Sequence, residues 1–191
     1  MRFAMFIQTE STPNPATLKF LPGKDVMGEG AVADFADEAA GARSPLARAL
    51  FAVPGVSRVF YGSDFISVTK SDEAGWPQLK PAILGAIMDH FTHDAPLIDT
   101  PPDEVEAELS ADEDDEVVSQ IRELIDTRVR PAVAQDGGDI IFKGFDNDSG
   151  VVFLHMRGSC AGCPSSTMTL KNGIENMLRH YVPEVSAVEA V

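Results

Sequence analysis

Between Asp99 and Glu116 the chain carries ten carboxylates and neither a lysine nor an arginine. The same stretch holds Pro101 and Pro102 and no aromatic residue. It cannot bury enough apolar surface to offset the entropy of ordering it. A single core cannot run through such a segment, so the 191 residues are expected to fold as two small domains. We place them at residues 1–94 and 116–191, with 95–115 as an acidic flexible linker. The alternative reading of 95–115 is an acidic segment that docks a partner.

Those ten residues account for two thirds of a formal net charge of −15. A chain this acidic is a poor candidate for a nucleic-acid backbone or an anionic membrane surface, so neither is expected as a partner. The longest clearly apolar stretch, around Ala82–Met88, falls far short of the ~20 residues that cross a bilayer. The opening MRFAMFIQTE has neither the apolar core of a secretory signal nor the Arg/Ser richness of a transit peptide. Two cysteines exclude a disulfide-stapled framework. The expected setting is a reducing compartment: a bacterial cytoplasm, or the mitochondrial matrix for a mature eukaryotic form.

The pattern of apolar residues predicts two α+β domains. In the first, Phe3–Thr9 and Thr17–Leu21 read as strands around a Thr12-Pro13-Asn14-Pro15 loop. Residues 28–42 fit a helix or a strand. Ser44-Pro45 starts a helix that runs to about Val53, with Ser as N-cap and Pro as the first helical residue. Val56–Tyr61 and Phe65–Thr69 form a hairpin. A last helix covers Pro77–Phe91, with Pro81 in or next to its first turn. In the second domain, Val117, Val118, Ile121, Leu124, Ile125 and Val129 make one helical stripe. Pro131 kinks or restarts that helix. Asp136-Gly137-Gly138-Asp139 is a sharp turn. Ile140–Phe145 and Val151–Met156 form a hairpin. A second helix buries Leu170, Ile174, Met177, Leu178 and Tyr181, and Val185–Val191 is a third strand. The expected order is α-β-β-α-β.

The chemistry points to Cys160 and Cys163, the only cysteines. Their C-x-x-C spacing lets two thiolates face one metal-sized object. Gly158 and Gly162 permit a tight loop, and Pro164 makes Cys163 the expected N-cap of the following helix. The positive helix end then favours thiolate over thiol. A cysteine-held iron–sulfur cluster takes four ligands, as does a structural zinc ion. One chain offers two thiolates. His90, His93, His155 and His180 lack ligand spacing to Cys160 and read as ordinary surface or core histidines. The missing ligands must come from a second copy of the chain or from a partner, which suits a group that is handed over rather than kept.

At this point the chain resembles a known family. Residues 114–191 are similar to the NifU C-terminal domain of the Nfu iron–sulfur cluster carriers. The matching residues are Arg130-Pro131, Asp136-Gly137-Gly138-Asp139 and Gly158-Ser159-Cys160-Ala161-Gly162-Cys163-Pro164-Ser165-Ser166. Residues 6–92 are similar to the N-terminal domain of the mitochondrial-type and proteobacterial members. There the match is Phe6-Ile7-Gln8-Thr9-Glu10, Thr12-Pro13-Asn14-Pro15, Leu18-Lys19-Phe20, Ser44-Pro45-Leu46 and Asp64-Phe65-Ile66-Ser67-Val68-Thr69. The resemblance implies a [4Fe–4S] cluster, or a [2Fe–2S] one, bridging two chains through Cys160 and Cys163. It further implies a homodimer on cluster binding, an upstream donor, delivery to apo-proteins, and no catalysis. The additional cysteine-bearing domains of the long nitrogen-fixation NifU proteins have no counterpart here.

Two other classes compete for the same cysteines. A thiol–disulfide oxidoreductase uses a C-x-x-C at a helix start, but after the first strand of a βαβ unit rather than after a hairpin. A zinc-bridged structural dimer satisfies the same ligand count. Gly137-Gly138 reads as a helix end and strand entry, and Arg157 as a solvated strand-end residue. The N-terminal domain has no cysteine, and its sheet and Trp76-bearing helix are the candidate partner surface.

Overall fold

The computed structural model describes residues 5–28, 31–99, 116–159 and 164–191, with backbone alone at 164–167. It divides into two compact units, Met1–Pro102 and Asp103–Val191. Both are α+β.

The first unit is built on a five-stranded antiparallel sheet in the order β1-β2-β5-β4-β3. Its strands are β1 (Gln8–Ser11), β2 (Thr17–Leu21), β3 (Ala33–Phe35), β4 (Val56–Tyr61) and β5 (Ile66–Lys70). Three helices accompany them: α1 (Glu38–Gly41), α2 (Pro45–Phe51) and α3 (Trp76–Thr92). Phe20, Phe35, Val59, Tyr61, Ile66 and Val68 of the sheet pack with Leu46 and Leu50 of α2 and Leu79, Ile83 and Ile87 of α3. Ser44 caps α2 as expected, its Oγ accepting from the Ala47 N–H at 3.2 Å. The same buried hydroxyl meets the Tyr61 phenol at 2.7 Å. Burial holds that phenol protonated well above the usual tyrosine range, with the Ser44 bond opposing the shift.

Several expectations change in this unit. The first strand begins at Gln8, not Phe3, and Phe3 itself lies outside the described residues. The register explains the start. Gln8 pairs with Leu21, and Pro22 follows, so among the described residues those upstream of Gln8 add no rung to the ladder. Phe6 is left 77% exposed. Residues 28–42 contain both a strand and a helix, β3 and α1, divided by Asp37, whose carboxylate accepts from the Ala40 N–H. Pro81 sits inside α3 rather than at its first turn. The Pro77 carbonyl it leaves without a donor is on an exposed residue, where water can reach it. The linker does not start at 95. Leu97 and Ile98 pack against the core, the Asp99 N–H donates to the Arg43 carbonyl at 2.8 Å, and Asp99 pairs with Arg48. Residues 100–115 of the expected linker lie outside the described residues.

The second unit has a three-stranded sheet in the order β6-β7-β8, comprising β6 (Gly138–Asp146), β7 (Val151–Gly158) and β8 (Ala187–Ala190). The first pair is antiparallel and the second parallel, with α6 (Pro164–Tyr181) as the crossover. Burial along β7 alternates strictly, with Val152, Leu154 and Met156 inward. Ahead of the sheet run α4 (Glu116–Leu124), a π-turn at Ile125–Val129, and α5 (Arg130–Gln135). The π-turn is how the chain accommodates Pro131. The Arg130 N–H bonds back to the Ile125 carbonyl, and the helix restarts one residue before the proline. The wider turn also keeps Ile121, Ile125, Val129 and Val133, each four residues apart, in one buried row. Ile174 and Leu178 of α6 complete the core, but Tyr181 does not: it is 47% exposed, with the Arg128 guanidinium 5.0 Å from its ring centroid.

Candidate metal centre

Cys160 and Cys163 lie outside the described residues, as do Ala161 and Gly162. Their neighbours on both sides are described and show how the chain enters and leaves these four positions. Entry is through the end of β7. The β6–β7 ladder closes with Asp139 opposite Arg157 and Gly138 opposite Gly158. Gly158 then takes φ +66°, in the left-handed region that favours glycine, and turns the chain out of the sheet. Exit is through Pro164, the first residue of α6. The cysteine pair therefore falls between a sheet end and a helix start, as its spacing and its flanking glycine and proline suggest.

The Asp136–Asp139 turn stands beside that entry. Gly137 has φ +80°, and its N–H donates to the Ala134 carbonyl at 3.0 Å, closing α5. Two sets of polar bonds hold the turn. On one side, Arg130 donates to both oxygens of Asp139, at 2.9 and 3.1 Å. This two-pronged bond raises the arginine's proton affinity, so the guanidinium is charged at any working pH. On the other side, the Ser159 hydroxyl donates to the Asp136 carbonyl, and the Ser159 N–H donates to the Gly137 carbonyl at 3.2 Å. Asp139 and Ser159 are the two buried polar side chains among the described residues of this unit.

Sequence reasoning singled out the Arg130-Pro131 and Asp136–Asp139 motifs but missed the ion pair between them. A signal was present: Asp139 enters an otherwise apolar strand beginning Ile140-Ile141, and a carboxylate seldom goes in unpaired. The part of Ser159 was missed as well. Its position between two elements of special geometry gave no periodicity to read.

The histidines do not gather at this place. His90 is buried in the first unit, where burial lowers its proton affinity against the opposing pull of Asp89. His93 is exposed, with Nδ1 2.8 Å from the Asp89 carbonyl. The His155 Nδ1 is 2.7 Å from the Val191 carbonyl oxygen, and His180 stacks edge-on to Tyr181. Among the described residues, no three His, Cys, Asp or Glu side chains come together in a way that holds a metal ion. Nor does any described helix have the length and apolarity to cross a membrane.

Residues 7–94 match the family described as scaffold protein Nfu/NifU N terminal, and residues 121–189 match the NifU-like domain. NifU-like protein 5, mitochondrial, of Arabidopsis thaliana is 53% identical over 189 residues, covering 98% of this chain and 68% of that one. NFU1 iron-sulfur cluster scaffold homolog, mitochondrial, of Homo sapiens is 55% identical over 190 residues, covering 98% of this chain and 72% of that one. A solution NMR structure of a NifU-like protein from Saccharomyces cerevisiae aligns with a TM-score of 0.45 at 29% identity, over 51% of this chain and 87% of that one. The chain spans roughly two thirds of the length of these two full-length relatives.

Proposed function

The chain belongs to the NifU/Nfu family of iron–sulfur scaffold proteins, and from that premise we propose that it carries a [4Fe–4S] cluster between two copies of itself and delivers it to apo-proteins. The observation that supports this most is the donor count. The chain has two cysteines, in one C-x-x-C, and a cluster of this type takes four. Cys160 and Cys163 of each copy supply one half of the ligand set. Cys163 immediately precedes an eighteen-residue helix, whose N-terminal dipole favours the thiolate form.

Delivery on this reading is ligand exchange. A thiolate of the recipient replaces Cys160 or Cys163 at an iron, one Fe–S bond forming as another breaks, with no net oxidation or reduction. Sharing the cluster between copies eases this, because separation of the copies exposes half of the coordination positions. The protein acts as a carrier and not as an enzyme. The first unit, which has no cysteine, serves to recognise recipients. The names of the relatives favour the mitochondrial matrix, and a bacterial cytoplasm offers the same reducing conditions.

Anaerobic reconstitution followed by iron and acid-labile sulfide analysis tests the reading. We expect one cluster per two chains, and loss of both iron and visible absorption in Cys160→Ser and in Cys163→Ser, with circular dichroism unchanged. Zinc without sulfide would leave the zinc-bridged dimer, and neither metal the thiol–disulfide enzyme. A full cluster on a demonstrated monomer with no added thiol would refute the shared site.

A further inference from the structure

We propose that the start of α2 and the core edge beside it form a docking site for an extended segment of a partner protein in which two adjacent aliphatic residues precede a carboxylate. In the resting chain its own Leu97-Ile98-Asp99 fills that site as a strap, and a partner with the same pattern takes its place. For its biological role the inference rests on the reading of the first unit as the part that recognises recipients; the docking itself is tested without a cluster. Four observations carry it. Leu97 and Ile98 pack, half-buried, against the core to which α2 and α3 contribute Leu46, Leu50, Ile83 and Ile87. The Asp99 N–H donates to the Arg43 carbonyl at 2.8 Å, just ahead of the Ser44 cap. The Asp99 carboxylate accepts from the Arg48 Nη2 at 2.8 Å. The Arg48 Nη1 donates to the Ala42 carbonyl at 2.8 Å, so the guanidinium is aimed by its own helix entry and not by its acidic partner alone.

These contacts are of the kind a groove offers a foreign segment: one main-chain bond, one charge of fixed position, and apolar surface for two side chains. The strap belongs to no helix or strand. It leaves α3 through Asp94, which takes φ +51° and is the one non-glycine residue in the left-handed region among the described residues. The ion pair that ends it is open to water, with the Arg48 side chain 53% and the Asp99 side chain 39% exposed. Such a pair selects for an acidic residue more than it holds one. An unfavourable hinge, an exposed ion pair and two half-buried side chains make a strap that opens far more readily than the core beneath it unfolds. Opening uncovers apolar surface beside a positive charge, which an aliphatic segment ending in a carboxylate matches. Closure keeps that surface from non-specific contacts. A partner must outcompete the tethered strap, which sets a threshold of fit.

The test titrates the full-length apo-protein into an end-blocked, fluorescein-labelled peptide, Ala-Pro-Leu-Ile-Asp, and follows fluorescence anisotropy. Wild type is compared with Leu97→Ser/Ile98→Ser, which empties the site. It is also compared with Asp94→Ile, whose branched side chain opposes the hinge and leaves the site intact. Circular dichroism and Trp76 fluorescence report whether each variant is folded. A strap closed about nine-tenths of the time weakens the apparent affinity about tenfold, so both variants should bind the peptide about tenfold more tightly than wild type. The peptide Ala-Pro-Leu-Ile-Lys should bind more weakly than the acidic one. Adding Arg48→Glu to Asp94→Ile should reverse that preference, which mere loosening of the unit would not do. If the double variant does not fold, Asp94→Ile decides the matter alone. Absence of binding to every folded variant at about 1 mM protein, the effective concentration that a short tether supplies, overturns the proposal. Equal affinity in wild type and Asp94→Ile overturns it, as does an unchanged charge preference in Arg48→Glu. A chain that takes up no cluster on reconstitution ends the carrier reading, and the peptide titration still decides the docking site.

Discussion

Removing Arg130 should hurt the second unit far more than removing Asp139, although the two form one ion pair. The Asp139 side chain is 4% exposed and the Arg130 side chain 29%. In Arg130→Met a buried carboxylate loses its two charged donors. Breaking a buried pair this way costs about 3–5 kcal/mol, and water reaching the partly open arginine side places this case near 3. In Asp139→Asn the amide oxygen still accepts from the guanidinium, and Arg130 keeps Asp126 at 3.6 Å and its access to solvent. That variant should cost about 1 kcal/mol. The double variant should be more stable than Arg130→Met alone, because the unpaired charge is gone. At ~4–8 °C per kcal/mol for a unit of this size, Arg130→Met lowers its midpoint by about 12–24 °C. The assay has a built-in control. Trp76, the only tryptophan, lies in the first unit, so its fluorescence follows that unit alone while far-ultraviolet circular dichroism follows both. The fluorescence transition should not move between variants, and the other should. Equal losses in Arg130→Met and Asp139→Asn, or a loss below about 1 kcal/mol in the former, would refute the view that the buried carboxylate dominates.

Ser44→Ala removes the α2 cap and strands the buried Tyr61 phenol, and should lower the stability of the first unit by about 2 kcal/mol in denaturant titrations followed at Trp76. Tyr61→Phe should recover part of that loss when added to it. His90 is held neutral by burial, so its affinity for a proton is lower folded than unfolded. Its contribution is complete above the unfolded value of about 6.5 and is lost as the pH falls. His90→Gln should therefore flatten the fall in first-unit stability between about pH 7 and pH 5. Gly150 has φ +70°, and a Cβ there meets the Glu184 carbonyl oxygen at 2.6 Å. Gly150→Ala should cost the second unit 1–3 kcal/mol or more, read as a lower circular-dichroism midpoint with Trp76 fluorescence unchanged.

Where a signal was local, the sequence carried it. Ser44-Pro45 announces α2 because capping is a property of adjacent residues, and β2 falls at the expected Thr17–Leu21. Where an element depends on a distant partner, the reading failed. The extent of β1 is set by β2 and Pro22, not by its own apolar residues. Leu97 and Ile98 adjoin an acidic run and so fit a linker, yet both pack against the first core, and Asp99 beside them bonds to Arg43 and Arg48. The π-turn was hidden for another reason. The expected stripe included Leu124, and only the four-residue rhythm of Ile121, Ile125, Val129 and Val133, ahead of Pro131, betrays a wider turn. At the candidate site, the C-x-x-C spacing is legible in the sequence, and the two cysteines themselves lie outside the described residues. The Arg130–Asp139 and Ser159–Asp136 bonds are not legible there, since each spans a helix end or a hairpin that had first to be folded.

The two units also differ in where they accept the cost of buried polarity. In the first, the buried polar groups Asn14, Thr17, Lys19, Ser44, Ser67 and His90 are spread over a loop, the sheet, a helix cap and α3. In the second, the described core from Ile121 to Val188 is apolar, and the buried polar side chains Asp139 and Ser159 stand together at the strand ends that precede Cys160. A buried polar group gives little net stability even when fully bonded, so apolar packing would serve the fold as well at that position. What a hydrogen bond supplies and a methyl group does not is direction. A core held by non-directional contacts tolerates small shifts, while the sheet end beside the cysteines is held by bonds of defined donor and acceptor. That division lets a small unit keep an ordinary interior and still hold the sheet end at Gly158 and Ser159 by directed bonds. Leaving a buried charge at that edge unpaired, as Arg130→Met does, should therefore cost folding about as much as truncating a side chain in the row from Ile121 to Val133.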